Sequence, residues 1–247
     1  ETGANPQTRI YTKLANTNFS LNILALNSST TINTTYTGTV AVDLVDASST
    51  TCPTGSGLNN TATSIAFTAA DQGRKAVTFK YPDSARNVRV RMKVGSTTPA
   101  CSSDNFAIRP QQLASSTTNS TNNATLTGTP KAIAGSAFTL TADSGTTSGY
   151  DGTPTLDTTK VNDHNGTAIA GGTLTGTFSA GTGAVASGTN FKYLDVGNIQ
   201  LAANAVTDTS FTSVDQTTDC ISGSTSNTLS GGKYGCNIGS AASAKFG

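Results

Sequence analysis

Tryptophan is absent from this 247-residue chain, and histidine and methionine each occur only once. Aromatic residues make up 6% of the sequence, so the aromatic platforms on which sugars usually stack are scarce. With a single histidine, no CxxC pair and no GxSxG motif, the sequence offers neither a typical zinc site nor a recognisable nucleophile. These absences predict that the chain is not an enzyme and needs no cofactor.

Charged residues and long apolar runs are also scarce. Charged residues make up 12% of the chain, the net charge is +1 and the isoelectric point is near 7.9. We therefore expect no nucleic-acid partner. Apolar runs never approach the roughly 18 residues of a transmembrane helix, so we expect no direct membrane insertion. Glu1, Thr2 and Gly3 resemble residues that a secretion expression vector leaves behind, and we exclude them from the fold argument.

Short apolar strands separated by turn residues dominate what is present. Thr, Ser, Asn, Gly and Ala surround alternating Val, Ile, Leu and Phe, a pattern typical of half-buried β-strands. No long helical period accompanies them, which favours a sandwich or barrel over βαβ units. The clearest predicted strands are Phe19–Leu26, Gly38–Leu44, Ser64–Phe67, Ala76–Tyr81, Asn87–Val94, Ala137–Ala142, Thr173–Phe178, Phe191–Leu194 and Asn198–Ala203.

The strand spacing predicts an all-β chain of two tandem immunoglobulin-like β-sandwich domains with intradomain disulfides. About seven strands in roughly a hundred residues fit such a sandwich, although the antibody-type Cys and Trp spacing is missing. We place the first domain at residues 4–104 and the second at residues 105–247. The segment from Asn105 to Arg109 is either a seventh strand or the start of the second domain, and we favour the latter, with a short, stiff junction. The polar tract from Ser115 to Asn123 is then a surface loop of the second domain.

Four cysteines allow three disulfide connectivities. Proximity in sequence favours Cys52–Cys101 and Cys220–Cys236. Zinc binding is the alternative, but no pair has CxxC spacing and His164 lies far from both pairs in sequence. Two disulfides would indicate an oxidising compartment, so we expect a secreted protein.

Five segments carry a resemblance to a known family. They are Asp104–Pro110, Ala134–Ala142, Gly149–Pro154, Tyr193–Gly197 and Gly232–Gly239, and they resemble successive blocks of the MSHA-pilus biogenesis (MshQ-like) family. Proteins of that family are large, secreted, β-rich bacterial components associated with type IV pili of the MSHA class, and some relatives carry lectin-like modules. The resemblance implies a role at the bacterial surface or on a pilus. It brings no catalytic motif and assigns no ligand.

One predicted strand carries a row of cations. Arg89, Arg91 and Lys93 alternate with apolar residues and should project from one face, and Arg86 lies just before them. This face is a candidate binding site for an acidic polysaccharide, a phosphate or a negatively charged partner. The alternative is a solvated face whose charges protect a strand edge against pairing.

Aspartates and the single histidine provide two further candidates. Asp143, Asp151, Asp157 and Asp163 lie in a loop-rich region and are candidate calcium ligands, although they lack EF-hand spacing and Asp is an ordinary turn residue. His164 follows Asp163 and precedes an Asn-Gly pair. Because adjacent residues on an extended chain point apart, this sequence favours an exposed hairpin turn over a catalytic pair.

These observations predict a non-catalytic adhesive or spacer module of a secreted bacterial surface or MSHA-type pilus-associated protein. Its partners would be other domains of the same large protein or pilus components. The alternative is a carbohydrate-binding, lectin-like module in which polar loops or the cationic face of Arg89, Arg91 and Lys93 contact surface glycans. The scarcity of aromatic residues counts against that alternative.

Overall fold

The computed structural model describes residues 9–27, 31–47, 51–58, 62–117, 133–146, 148–211 and 217–247. Within these ranges the chain is almost entirely β, with 17 strands and two single-turn 3-10 helices. The all-β class predicted from the strand spacing is therefore confirmed. The same ranges contain no helix that is long and apolar enough to cross a bilayer.

The first part of the chain forms one large and one small sheet. Its strands are β1 (Lys13–Leu14), β2 (Phe19–Leu24), β3 (Gly38–Asp46), β4 (Thr63–Phe67), β5 (Arg74–Phe79), β6 (Ala85–Lys93), β7 (Ala100–Cys101) and β8 (Phe106–Arg109). The large sheet has the order β1-β8-β6-β3-β4, with β7 also paired to β6, and β2 pairs with β5 in the small one. Strand β1 runs parallel to β8, whereas the other pairs are antiparallel.

Alternating apolar side chains of both sheets meet in one cluster, which we call the N-terminal core. Strand β3 contributes Val40, Val42 and Leu44, and the small sheet contributes residues such as Leu21 and Val77. All five are buried. Each such aliphatic side chain adds roughly 1.5–3 kcal/mol when it is fully removed from water, so this cluster is the main source of stability for the first part.

Strand β8 shifts the predicted domain boundary. Phe106 and Ile108 lie in the N-terminal core with no solvent exposure, and β8 pairs with both β6 and β1. A boundary after residue 104 therefore cuts through the first sheet. The alternation of Phe106 and Ile108 identifies a half-buried strand, but it does not tell which of two sheets the strand joins.

The second part of the chain contains three sheets. Its strands are β9 (Ala114–Thr117), β10 (Ala137–Asp143), β11 (Thr155–Leu156), β12 (Val161–Asp163), β13 (Leu174–Thr175), β14 (Val185–Tyr193), β15 (Ile199–Leu201), β16 (Val206–Asp208) and β17 (Ile238–Gly239). The sheet orders are β13-β14-β10-β9, β11-β16-β17 and β12-β15. The tract that begins at Ser115 therefore starts as an edge strand, and its residues 118–123 lie outside the described ranges.

The three sheets share a second apolar cluster, the C-terminal core. Leu140, Phe191, Leu201, Val206 and Ile238 all lie in it with no exposed surface. The chain thus has two separate cores, which meet after β8.

Both disulfides favoured by sequence proximity are present. Cys52–Cys101 ties the segment after β3 to β7, and Cys220–Cys236 closes a loop in the second part of the chain. Because disulfides persist in oxidising environments, the chain belongs to a non-cytoplasmic compartment.

Candidate functional site

Polar contacts join the two parts of the chain in the region around the end of β8, and we call this region the junction. At its centre is Arg109, the last residue of β8, which has no exposed surface. Its guanidinium donates to backbone and side-chain amide oxygens: Gly235 O at 2.8 Å, Ser226 O at 3.0 Å, Asn227 Oδ1 at 2.9 Å and Pro110 O at 2.7 Å. Burial lowers the pKa of Arg109 to about 10, which leaves the group charged at neutral pH.

Three of these four acceptors, all except Pro110 O, belong to the loop that Cys220–Cys236 closes. Gly235 precedes Cys236 and donates its N–H to Ser226 O at 2.8 Å. A Cβ at Gly235 would lie 2.3 Å from Ser224 O, so only glycine fits there. Asn227 also donates to Gln111 O at 2.8 Å. The disulfide loop therefore provides a binding site for the side chain of Arg109, the last residue of β8.

A second set of contacts lies at the turn between β5 and β6. Asp83, which is only 5% exposed, accepts hydrogen bonds from the N–H of Ser84 at 3.0 Å and from the N–H of Ser148 at 2.9 Å. The Ser148 hydroxyl donates to its other carboxylate oxygen. Gly149 follows with a φ of +75°, and a Cβ there would lie 2.3 Å from Ser84 O. The backbone of Gly149 therefore packs directly against the backbone of Ser84, with no room for a side chain between the two parts of the chain.

Arg86 extends this second set of contacts. Its Nε donates to Asp151 Oδ1 at 2.7 Å, and its guanidinium lies 5.3 Å from the centre of the Phe211 ring. Phe211 stacks in turn on Tyr150, whose hydroxyl donates to Asp208 Oδ2 at 2.6 Å. Burial, followed by the hydrogen bond to Asp208, raises the pKa of Tyr150. The contacts of Arg86 thus lead directly into the C-terminal core.

A third set of contacts ties the segment before β1 to the disulfide loop and to the two residues that precede it, Thr218 and Asp219. Arg9 Nε donates to Asp219 Oδ1 at 2.6 Å, and its Nη1 donates to the Thr218 hydroxyl at 2.7 Å. The N–H of Thr12 donates to Asp219 O at 3.1 Å. Lys233 lies over the Tyr11 ring, with its Nζ 4.7 Å from the ring centre. Three separate sets of contacts therefore span the junction.

The cationic face predicted on β6 is largely engaged within the chain. Arg91 binds the Asp43 carboxylate with Nε and Nη2, and it also donates to Pro53 O at 2.7 Å and Gly55 O at 2.6 Å. Arg89 donates to Asn105 Oδ1. Lys93 is exposed. Together with Arg86 at the junction, three of the four predicted cations have internal partners.

The four candidate calcium ligands lie in separate turns. Asp143 accepts from Gly145 N, Asp157 from Thr159 N and Asp163 from Thr167 N, while Asp151 binds Arg86. Hydrogen bonds from their own turns lower the pKa of Asp157 and Asp163. Over the described ranges, no three or more His, Cys, Asp or Glu side chains form a group that could hold a metal ion.

His164 lies in a tight turn, as its sequence predicts. The N–H of Gly166 donates to Asp163 O at 3.1 Å, and Asn162 and Ala168 form an antiparallel bridge beneath the turn. The backbone oxygen of His164 accepts from Lys245 Nζ at 2.7 Å. The contact with Lys245 therefore uses the backbone of His164.

A groove that the sequence did not reveal lies between β2 and the β6–β7 side of the large sheet. It has a volume of about 700 Å³ and is lined mainly by apolar side chains, among them Leu21, Ile23 and Met92. Leu26 and Val94 also line it and are 44% and 45% exposed. Leu26 follows β2 and Val94 follows β6, and single exposed apolar residues beyond two strand ends give no signal in the sequence, so only the fold brings them together.

The junction residues were also missed, apart from Arg86 and Asp151, which were singled out for other roles. The sequence does contain one signal for Arg109, which ends an otherwise apolar strand. The structure shows that its neighbours Ala107 and Ile108 are buried. The segments that carry the family resemblance supply much of the junction, namely Arg109 of Asp104–Pro110, Gly149 and Asp151 of Gly149–Pro154, and Gly235 of Gly232–Gly239.

Comparison with protein-family models, with curated proteins and with solved structures finds no match to this chain.

Proposed function

We propose that this chain is a non-catalytic spacer or adhesive module of a secreted bacterial surface or MSHA-type pilus-associated protein. In this proposal two immunoglobulin-like sandwiches in series form one stiff unit, which holds a more distal binding region away from the cell. Its partners are the neighbouring domains of the same large protein or pilus components. The MshQ-like resemblance and the two disulfides support the surface location.

Strand order supports the immunoglobulin-like architecture of the first part. A sheet of the order β8-β6-β3-β4 facing a β2–β5 pair corresponds to the G-F-C-C′ and B-E strands of a variable-type sandwich. The second part is assigned to the same class from its shared apolar core and short antiparallel strands.

The buried Arg109 is the observation that carries the spacer proposal. A charged guanidinium without solvent exposure is tolerated only where its donors are satisfied. Here Gly235 O, Ser226 O and Asn227 Oδ1 accept from it across the junction. Bending the junction would break the hydrogen bonds between Arg109 and these oxygens, and the buried oxygens would lose their donors. A flexible linker would not hold a buried arginine across the junction, whereas a stiff spacer requires contacts of this kind.

Antibody labelling of cells that express the parent protein tests the surface location. We expect antibodies against this chain to label intact cells and to co-sediment with sheared pili or surface filaments. Labelling that requires permeabilised cells would overturn the proposal.

The carbohydrate-binding alternative has weaker support, because Arg86, Arg89 and Arg91 have internal partners. A glycan array probed with the isolated chain separates the two functions. The spacer proposal predicts no binding above background, whereas specific binding would favour the lectin-like module, and its loss in a Lys93→Ser variant would place that binding on the cationic face.

A further inference from the structure

The segment from Thr12 to Ala15 is buried at the edge of the N-terminal core, which Ala15 joins. Thr12, Lys13, Leu14 and Ala15 are between 1% and 7% exposed. Two of these residues form β1, which pairs in parallel with β8 through Lys13↔Ile108 and Leu14↔Arg109. The N–H of Ala15 adds a hydrogen bond to Arg109 O at 2.8 Å, and Gln111 Nε2 donates to Ala15 O at 2.9 Å.

Parallel pairing determines how this contact responds to tension. Strand β1 lies near the start of the first part and β8 lies at its end, so a pull on the chain draws them in opposite directions along their common axis. The hydrogen bonds between them are then loaded together in shear, instead of being opened one after another. Because the segment is buried, water does not readily replace each bond as it lengthens.

The same segment is also tied directly to the second part of the chain. Arg9 and Thr12 bind Asp219, and Arg109 binds the oxygens of Ser226 and Gly235. Tension that enters at Arg9 can therefore reach the disulfide loop without passing through strands β2 to β7. The N-terminal core lies in the bypassed stretch.

We infer that residues 9–15, β8 and the Cys220–Cys236 loop form a shear clamp that shields the N-terminal core from tension. This inference rests on the proposed spacer function, since a spacer between a cell and a bound surface is a protein under tension. The clamp is a mechanical property of the isolated chain, so it can be measured without any partner.

Single-molecule extension with handles at the two ends of the chain tests the clamp. Extension of residues 16–105 is recognisable by its length. With Cys52–Cys101 closed, about 42 residues are released, which adds about 140 Å at roughly 3.4 Å per residue, and reduction by a dithiol raises the step to about 300 Å. This change in step length identifies the N-terminal core.

The informative variant is Arg9→Gln/Gln111→Ala. It removes the Arg9 guanidinium of the clamp and the Gln111 amide that donates to Ala15 O of the clamp. Both side chains are partly or fully exposed, so both cores stay intact. We expect its N-terminal core to extend at least about tenfold faster than wild type at the same force, which corresponds to about 1.4 kcal/mol. Gln111→Ala alone should give a smaller rise, and Lys93→Gln, outside the clamp, should stay within about twofold of wild type.

An extension rate of the double variant within about twofold of wild type would overturn the clamp. The spacer proposal is tested separately by surface labelling. If the variant extends faster but the protein stays inside cells, only the proposed function is overturned. If the protein is labelled at the surface but the variant extends like wild type, only the clamp is overturned.

Discussion

Individual residues at the junction combine burial with polar contacts, and Arg109 is the extreme case. Its positive charge has no exposed surface, and its acceptors are amide oxygens instead of a carboxylate. Because the pKa is lowered only to about 10, the charge persists at physiological pH and the hydrogen bonds stay charge-assisted. Glycines 149 and 235 complete the fit, since a Cβ at either would collide with a backbone oxygen.

Gly149→Ala tests the close approach at the junction against a matched control. Gly149 and Gly183 have nearly the same φ, +75° and +76°, but only Gly149 faces a backbone oxygen, whereas no atom lies within 4 Å of a Cβ at Gly183. Both substitutions should cost about 1 kcal/mol through backbone strain. Gly149→Ala should cost about 1–3 kcal/mol more through overpacking. Urea denaturation measures both, and equal losses would show that the contact with Ser84 contributes nothing.

Tyr150 predicts a specific loss of stability at alkaline pH. Burial raises its pKa in the folded state, whereas the unfolded phenol ionises near about pH 10. Above that pH the unfolded state binds fewer protons than the folded state, so stability falls as pH rises. Tyr150→Phe removes this contribution. Above pH 10 the free energy of unfolding should therefore fall less steeply in the variant, by up to about 1.4 kcal/mol per pH unit.

Denaturation curves collected across that range provide the check. Tyr81 and Tyr193 also have raised pKa values, but they are present in both proteins and cancel in the comparison. Parallel slopes for wild type and Tyr150→Phe would contradict the assignment.

Strand β8 belongs to two parts of the molecule at the scale of structural elements. Its backbone and the side chains of Phe106 and Ile108 belong to the first sheet, whereas the side chain of its last residue is bound by the disulfide loop. The Cys220–Cys236 disulfide closes the loop that presents its oxygens to Arg109. The strand and the loop should therefore stabilise each other.

A double-mutant cycle measures this coupling. Removing the bridge with Cys220→Ser/Cys236→Ser should cost about 3 kcal/mol, as expected for a loop of this length. Arg109→Met should cost about 1–3 kcal/mol by leaving buried oxygens without donors. The combined variant should lose at least about 1 kcal/mol less than the sum, because an open loop no longer holds those oxygens in place.

The first disulfide supplies the control for this cycle. Combined with Cys52→Ser/Cys101→Ser, Arg109→Met should be additive within about 0.5 kcal/mol, because that bridge does not touch the junction loop. Additivity in both cycles would show that Arg109 and the loop are independent.

The sequence predicts these elements better than it predicts their association. Alternation places a strand at Gly38–Leu44, and the structure extends it to Asp46. The strand predicted at Thr173–Phe178 is shorter, Leu174–Thr175, because Gly176 has a φ of +146° and packs against Phe191. Junction contacts join residues far apart in the chain, such as Arg109 and Ser226, separated by 117 positions, and no local pattern encodes them.

At the scale of the whole molecule, the described residues form two cores joined by three sets of contacts at different places around one junction. Arg109 with the disulfide loop, Asp83 and Arg86 with residues 148–151, and Arg9 with Asp219 restrain the junction at separate points. A single set of contacts would still allow the two cores to rotate about that set. Three separate sets restrain both bending and twisting, so the two cores should move as one body.

The distance between spin labels in the two cores tests this claim most directly. Ala76→Cys on β5 and Thr189→Cys on β14 place labels at exposed positions, one in each part. Pulsed electron spin resonance should give one narrow distance distribution, and it should broaden when Arg109→Met and Arg86→Gln are added. A wide or multiple distribution in the wild-type background would contradict the account, because the chain would then be two domains on a flexible linker.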